Sequence, residues 1–129
     1  MSELIEAHGV TYEVLPDSEI AARVRSMASE EWEPEDFEKW GQDIFVSVWS
    51  VQVVPVSEIK MRPELLASQE FQADLKNRIA TQIGLIRAHK PIPPLMLRGG
   101  DLFLFDGYGR ANALRALGIA VCVAYVSTY

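Results

Sequence analysis

Asp106, Gly107, Tyr108, Gly109, Arg110 and Ala111 follow directly on the apolar run Leu102-Phe103-Leu104-Phe105, so a strand passes into a helix through two glycines, with an arginine in the first turn. Of all segments in the chain, this junction is the best suited to hold an anion. The first amides of a helix have no intrahelical partner and lie at the positive end of its dipole, and glycine admits a ligand where a Cβ would block it. Arg110 adds a planar fork that can grip phosphate or carboxylate through two hydrogen bonds. The expected site is therefore the backbone from Gly107 to Ala111 with Arg110 over it and Tyr108 beside it as a surface for a base. Asp106 is a helix cap, an ion-pair partner of Arg110 or a group that moves a proton. Without a ligand, Gly107 and Gly109 need only provide a tight strand-to-helix turn.

Other chemistries find little support. The one cysteine, Cys122, is flanked by Val121 and Val123 and reads as a buried thiol without a redox role. His8 and His89 are far apart with no cysteine cluster near either, so no metal site is expected. Neither a Gly-x-Ser-x-Gly elbow nor a phosphate-binding loop pattern occurs.

The elements that must position this turn can be read from spacing. Asp17 is expected to cap a first helix whose Ile20, Val24 and Met27 share one face. A second helix starts near Pro34, buries Phe37 and Trp40, and is expected to stop at Gly41. The Val-rich run from Ile44 to Val56 reads as a covered strand that leaves the ladder at Pro55. Lys60 to Ala67, around Pro63, is the one linker-like stretch. Ser68 caps a long helix with Phe71, Leu75, Ile79, Ile83 and Ile86 in a stripe and Lys76, Arg78 and Arg87 toward solvent or ligand, ended by His89-Lys90-Pro91. Leu95 to Leu97 and Leu102 to Phe105 form a hairpin whose glycines, Gly99 and Gly100, supply positive φ. After the glycine turn, a short helix with Ala111, Leu114 and Leu117 inward stops at Gly118, and Ile119 to Val126 completes the sheet. The fold class is α+β: a small mixed sheet with helices packed mainly on one side.

The chain has 129 residues, 49% of them hydrophobic, enough for one core. No apolar run approaches the roughly 20 residues of a membrane span. The start, Met1-Ser2-Glu3-Leu4-Ile5-Glu6, lacks the basic-then-apolar plan of a signal peptide, and with the lone cysteine it points to the cytoplasm. The net charge of −6 is unevenly spread. Residues 1–58 hold thirteen Asp and Glu against three Lys and Arg, a net −10, whereas residues 59–129 hold five against nine, a net +4. This acidity gives no broad face for duplex DNA. The acidic segment is either a solvated surface, a cover competing with an anionic ligand, or a surface for a basic protein partner.

The order of elements resembles the ParB/sulfiredoxin-like superfamily. The carrying pieces are Val54-Pro55-Val56-Ser57-Glu58-Ile59, the helix near Ser68 to Ala88, Pro91 to Leu97, Asp106 to Leu114, and Val121 to Val126. Residues 1–42 lie outside the resemblance as an acidic helical extension to a domain spanning 43–129, the whole forming one compact unit. In the partition-protein branch the corresponding Gly-x-x-Arg segment holds nucleotide phosphates, which implies Gly107, Gly109 and Arg110 as contacts. That branch also carries a helix-turn-helix and a dimerisation domain, for which this length leaves no room, so a stand-alone domain is expected. The sulfiredoxin branch places a cysteine and a histidine where this chain has Tyr108 and Gly109, which excludes sulfinic-acid reduction. A serine-phosphorylating branch shares Asp106, Gly107 and Arg110, with Tyr108 in place of its histidine and Glu58 as candidate second acid. The Gly-x-Gly-Arg variant is also similar to small domains attached to phage and plasmid DNA methyltransferases, which implies a DNA-maintenance context.

The resulting expectation is a domain that binds a nucleotide or another phosphate-bearing molecule at the turn from Asp106 to Arg110, with a nucleoside triphosphate and Mg2+ as the implied cofactor. The alternatives are a small-molecule kinase or nucleoside-triphosphate hydrolase in which Asp106 or Glu58 assists proton transfer, and a non-catalytic protein-interaction module.

Overall fold

The computed structural model describes residues 2–62 and 68–128, residues 42–46 by their backbone alone. The chain opens with a hairpin, β1 (Glu3–Ala7) and β2 (Val10–Val14), then α1 (Asp17–Glu31), α2 (Pro34–Val46), β3 (Trp49–Pro55) and a 3-10 turn (Val56–Glu58). After α3 (Gln69–Arg87) come β4 (Leu95–Leu97), β5 (Leu104–Asp106), α4 (Tyr108–Ala116) and β6 (Val121–Ser127). The α+β architecture expected from the sequence is what forms.

The main sheet has the order β3-β6-β4-β5. Its last strand in sequence, β6, is central, antiparallel to β3 and parallel to β4, and β5 runs antiparallel to β4 at the edge. Every residue from Cys122 to Ser127 is buried, the mark of a strand covered on both faces, whereas β3 at the opposite edge exposes Gln52 and Val53. Lys60 extends the β5 edge by bridging Phe103: its amide donates to the Leu102 carbonyl and its carbonyl accepts from the Leu104 amide. The expected linker thus begins as sheet, and its residues 63–67 lie outside the described ones.

The first 42 residues are not a purely helical extension. The hairpin β1–β2 turns through His8 and Gly9, both at positive φ (52° and 80°), the left-handed pair that suits a two-residue turn. Ile92 bonds to both Thr11 and Glu13, tying the hairpin to the segment before β4. Val10, Tyr12, Ile20, Val24 and Met27 join one hydrophobic cluster with Leu95, Leu114 and the β6 residues, so the extension shares the core of the rest.

Several local expectations are corrected. Asp17 is the first helical residue of α1, Pro16 being the cap. Gly41 does not stop α2, which continues through the expected boundary at residue 42 to Val46, so the stretch from Ile44 to Val48 is not strand; one glycine costs a helix only about 1 kcal/mol. In the β4–β5 hairpin it is Leu102 that adopts positive φ (57°), and neither Gly99 nor Gly100 does. Gly99 is required by space, since a Cβ there would overlap the Ser127 carbonyl oxygen. The α3 helix does begin at Ser68, whose hydroxyl accepts from the Phe71 amide at 3.3 Å. It ends one turn before Pro91, with His89 left-handed (φ 55°) and the Lys90 amide bonded back to Leu85.

Candidate ligand-binding cleft

Strand β5 delivers Asp106 to the rim of the sheet, and Gly107 caps α4 at φ 108°, a conformation a side chain rarely adopts. A Cβ there would also lie 2.5 Å from Leu95 Cδ2 and 3.0 Å from the Arg110 guanidinium. Gly109 has a different reason to be glycine: a Cβ would approach Arg78 Cβ on α3 to 2.9 Å, so this residue lets two helices meet. Ala111 is buried inside the first turn and its amide is bonded to the Gly107 carbonyl.

Arg110 folds back along its own helix. Its Nη2 meets Asp106 Oδ2 at 2.8 Å and its Nη1 donates to the Pro93 carbonyl at 3.1 Å. Both partners are sheltered, with side-chain exposures of 11% for Arg110 and 15% for Asp106. Of the roles open to Asp106, the ion pair is the one adopted; no side chain caps α4. Tyr108 is a wall of the cleft: its hydroxyl accepts from the Arg62 amide at 3.1 Å and its ring meets Phe71 edge-on, with centroids 5.6 Å apart.

The structure separates the two acids singled out in the sequence. Glu58 is exposed in the 3-10 turn, a segment that the other end of α4 holds through Arg115 Nη2, which donates to the Ile59 carbonyl at 2.6 Å. It is absent from the walls of the cleft at Asp106. The acid that does come to Asp106 is Glu31, at the end of α1. Burial pushes the Glu31 carboxyl above its ordinary value, and the charge of Asp106 and a hydrogen bond to it push the same way, against the pull of Arg78 and Arg110.

Around this pair lies a cleft of about 500 Å3, between the α1–α2 junction, α3 and β5. Its aromatic side is a continuous cluster. Trp32 meets Trp40 and Phe105 at 5.8 and 5.9 Å, and Trp40 meets Phe103 at 5.4 Å. Its polar side brings the acidic extension against the basic half: Glu30, Glu31, Glu33, Glu35 and Asp36 face Arg62, Arg78 and Asp106. The Arg62 guanidinium lies 4.6 Å above the Trp40 ring and pairs with Asp36 at 3.2 Å. Asp36 also accepts from the Glu33 amide at 3.1 Å, closing the capping box of α2.

Of the cleft residues, Arg78 is the one that helical spacing turns toward solvent or ligand, while Glu31, Trp32, Trp40 and Arg62 carry no spacing signal as site residues. Only the split of charge between the halves of the chain hinted that acids of one would meet bases of the other. Among the described residues, no group of three or more His, Cys, Asp or Glu is arranged to hold a metal ion, and no helix is long and apolar enough to cross a membrane. Cys122 is fully buried on β6 and burial pushes its thiol up to about 12, so it offers no thiolate at neutral pH.

The chain matches no family model and no curated protein. Solved structures similar to it include a Pnob8-like ParB-N domain, at 20% identity over 64% of this chain and 31% of that one, with a TM-score of 0.49. Sulfiredoxin from Arabidopsis thaliana is similar at 18% identity over 60% of this chain and 83% of that one, with a TM-score of 0.48. A pNOB8-like ParB N-domain is similar at 25% identity over 63% of this chain and 28% of that one, with a TM-score of 0.43. The chain therefore spans about a third of the ParB-N chain it matches first.

Proposed function

We propose that this chain binds a nucleotide, or another molecule that joins an aromatic ring to phosphate, in the cleft at the start of α4. The supporting observation is the meeting of an aromatic wall of Trp32, Trp40 and Phe103 with Arg78 and the entry of α4, in a cleft of about 500 Å3. That volume lies in the range of roughly 300–1,000 Å3 usual for small-molecule sites. A base would stack on the indoles and phosphates would reach toward Arg78, while Gly107, Gly109, Arg110 and Ala111 do not line the cleft, Gly109 being packed against α3.

The charge balance constrains the ligand further. Six carboxylates line the cleft against two arginines. A bare triphosphate would be repelled, whereas one carrying Mg2+ arrives with about half of its charge neutralised. Mg2+ is commonly held by one or two carboxylates together with substrate phosphates, and Glu31 with Asp106 supplies such a pair. Titrating ATP and CTP while following Trp32 and Trp40 fluorescence should give saturable quenching with Mg2+ and a much weaker response without it. No quenching by either nucleotide in either condition would refute the proposal.

A catalytic reading is favoured by one specific feature, the hydrogen-bonded pair of Glu31 and Asp106, since a carboxyl with a raised pKa beside a carboxylate is the arrangement that moves a proton. On that reading, phosphate release from ATP or CTP with Mg2+ exceeds that of Glu31→Gln and Arg110→Ala variants. Equal release from all three proteins would leave binding alone.

A further inference from the structure

Asp106 lines two spaces, and its ion-pair partner Arg110 lines only the second. Beside the cleft lies a smaller, open-mouthed pocket of about 170 Å3, bordered by α1, β2, β6 and the start of α4. At about 30 Å3 per water, it has room for five or so waters, enough for a compact ion and too little for a nucleoside. Three side chains bring hydrogen-bond donors to it: Arg23, Arg110 and Tyr125.

Each donor is placed by a specific piece of the fold. Arg23 stands three residues after Ile20 and four before Met27, both buried, so the docking of α1 carries its stem along the apolar face and its head to the cavity. Among the described residues Arg23 has no ion pair or hydrogen bond, in contrast to Arg110. Tyr125 is 2% exposed on central strand β6, and its Oη accepts the Leu15 amide at 2.9 Å, leaving its own hydrogen to donate. Burial pushes the Tyr125 pKa upward, which keeps that hydrogen in place at neutral pH. Two acids also face the cavity, Glu13 and Asp106. Asp106 is held by Arg110, and Glu13, exposed on β2, accepts from Ser2 Oγ at 2.7 Å.

We propose that Arg23, Arg110 and Tyr125 form a binding site for a compact oxyanion of the size of inorganic phosphate, separate from the aromatic cleft. Arg23 supplies the unpaired charge, Tyr125 a neutral donor from below, and Arg110 the edge of its guanidinium left over from Asp106 and Pro93. The apolar lining from Leu15, Pro93 and Met96 lowers the local dielectric on one side of the pocket and strengthens the contacts made there. Occupation of this site does not require a nucleotide in the cleft, although Asp106 lines both.

The test is a titration of the intact chain with inorganic phosphate, replacing chloride at constant ionic strength, followed by amide NMR and thermal melting. Phosphate should shift the Leu15 amide and raise the melting midpoint. Arg23→Ala should weaken phosphate about tenfold, the loss expected for one charge-assisted hydrogen bond. Arg23→Lys should be intermediate, because an ammonium keeps the charge without the fork. Arg87→Ala, an exposed arginine lining neither space, should bind as the parent does. Tyr125→Phe, checked by its own melt, should also bind phosphate more weakly. Equal affinity of the parent and Arg23→Ala, or no shift at Leu15, would overturn the proposal. Nucleotide quenching that persists in Arg23→Ala would show that the cleft reading stands apart from this one.

Discussion

Glu31 is the residue on which the chemistry of the cleft turns. Its carboxyl sits against Asp106, so the protonated form is favoured in the fold relative to the unfolded chain. A raised folded pKa means that the native state holds more protons between the ordinary 4.5 and the shifted value, and stability falls as pH rises through that window. Glu31→Gln should therefore raise the melting midpoint at pH 7, with the gain fading as pH falls toward 4.5 and gone below it. Melts across pH 4 to 8 check this, and a midpoint lowered at pH 7 would show that ionised Glu31 is a stabilising partner of Arg78 and Arg110. Arg98 and Asp101 behave oppositely. Their two hydrogen bonds, at 2.9 and 2.8 Å, hold the Asp101 carboxyl below its ordinary value, so that contribution is present at neutral pH and lost on acidification.

At the scale of elements, the contact between α3 and α4 sets the geometry of the turn. Alanine is a better helix former than glycine by about 1 kcal/mol, so on propensity alone Gly109→Ala would stabilise α4. Packing decides otherwise, because the added Cβ meets Arg78 Cβ at 2.9 Å and the Arg78 carbonyl carbon at 3.4 Å, atoms close to the α3 backbone that cannot swing away. Gly109→Ala should cost about 1–2 kcal/mol, within the range for overpacked contacts, and should shift the fluorescence of the aromatic cluster as α3 moves. A stabilised variant in a denaturant melt would show that the helices separate freely. The two helix ends are built differently. Gly118, at φ 70°, closes α4 with glycine, while His89 takes the same role after α3 at the expense of a left-handed side-chain residue.

At the scale of the whole molecule, the division of charge becomes an arrangement in space. The acids at the end of α1 and the start of α2 line the same cleft as Arg62 and Arg78. Reversing Glu30 and Glu35 to lysine should tighten binding of an anionic nucleotide, and the gain should shrink as salt rises, since exposed charges are screened over about 8 Å at physiological ionic strength. Asp36 does not belong in that set: it is buried and is needed by both the α2 capping box and Arg62. Nucleotide affinity that stays the same across salt in the Glu30/Glu35 double variant would make the acids a surface feature alone.

The sequence by itself determined the fold class, the buried stripes of α1, α3 and α4, the Ser68 and Gly118 helix boundaries, and the glycine turn before Arg110. Those features follow from local rules: apolar spacing, capping side chains and positive φ act over a few residues. Local rules fail at Gly41, which α2 runs through, and at Gly99, which is glycine for a close approach to Ser127 and not for positive φ. The partner of Asp106 was settled only by tertiary structure. Glu58 is nearer in sequence to the resembling motif, yet β3 and the 3-10 turn carry it to the far end of α4, while α1 brings Glu31 across from the opposite end of the chain. The same folding set Arg110 against Asp106 and Pro93, and gathered Arg23, Arg110 and Tyr125 around one cavity. Residues so distant in sequence share no spacing signal, and their meeting depends on how α1 docks against a sheet whose last strand lies at its centre.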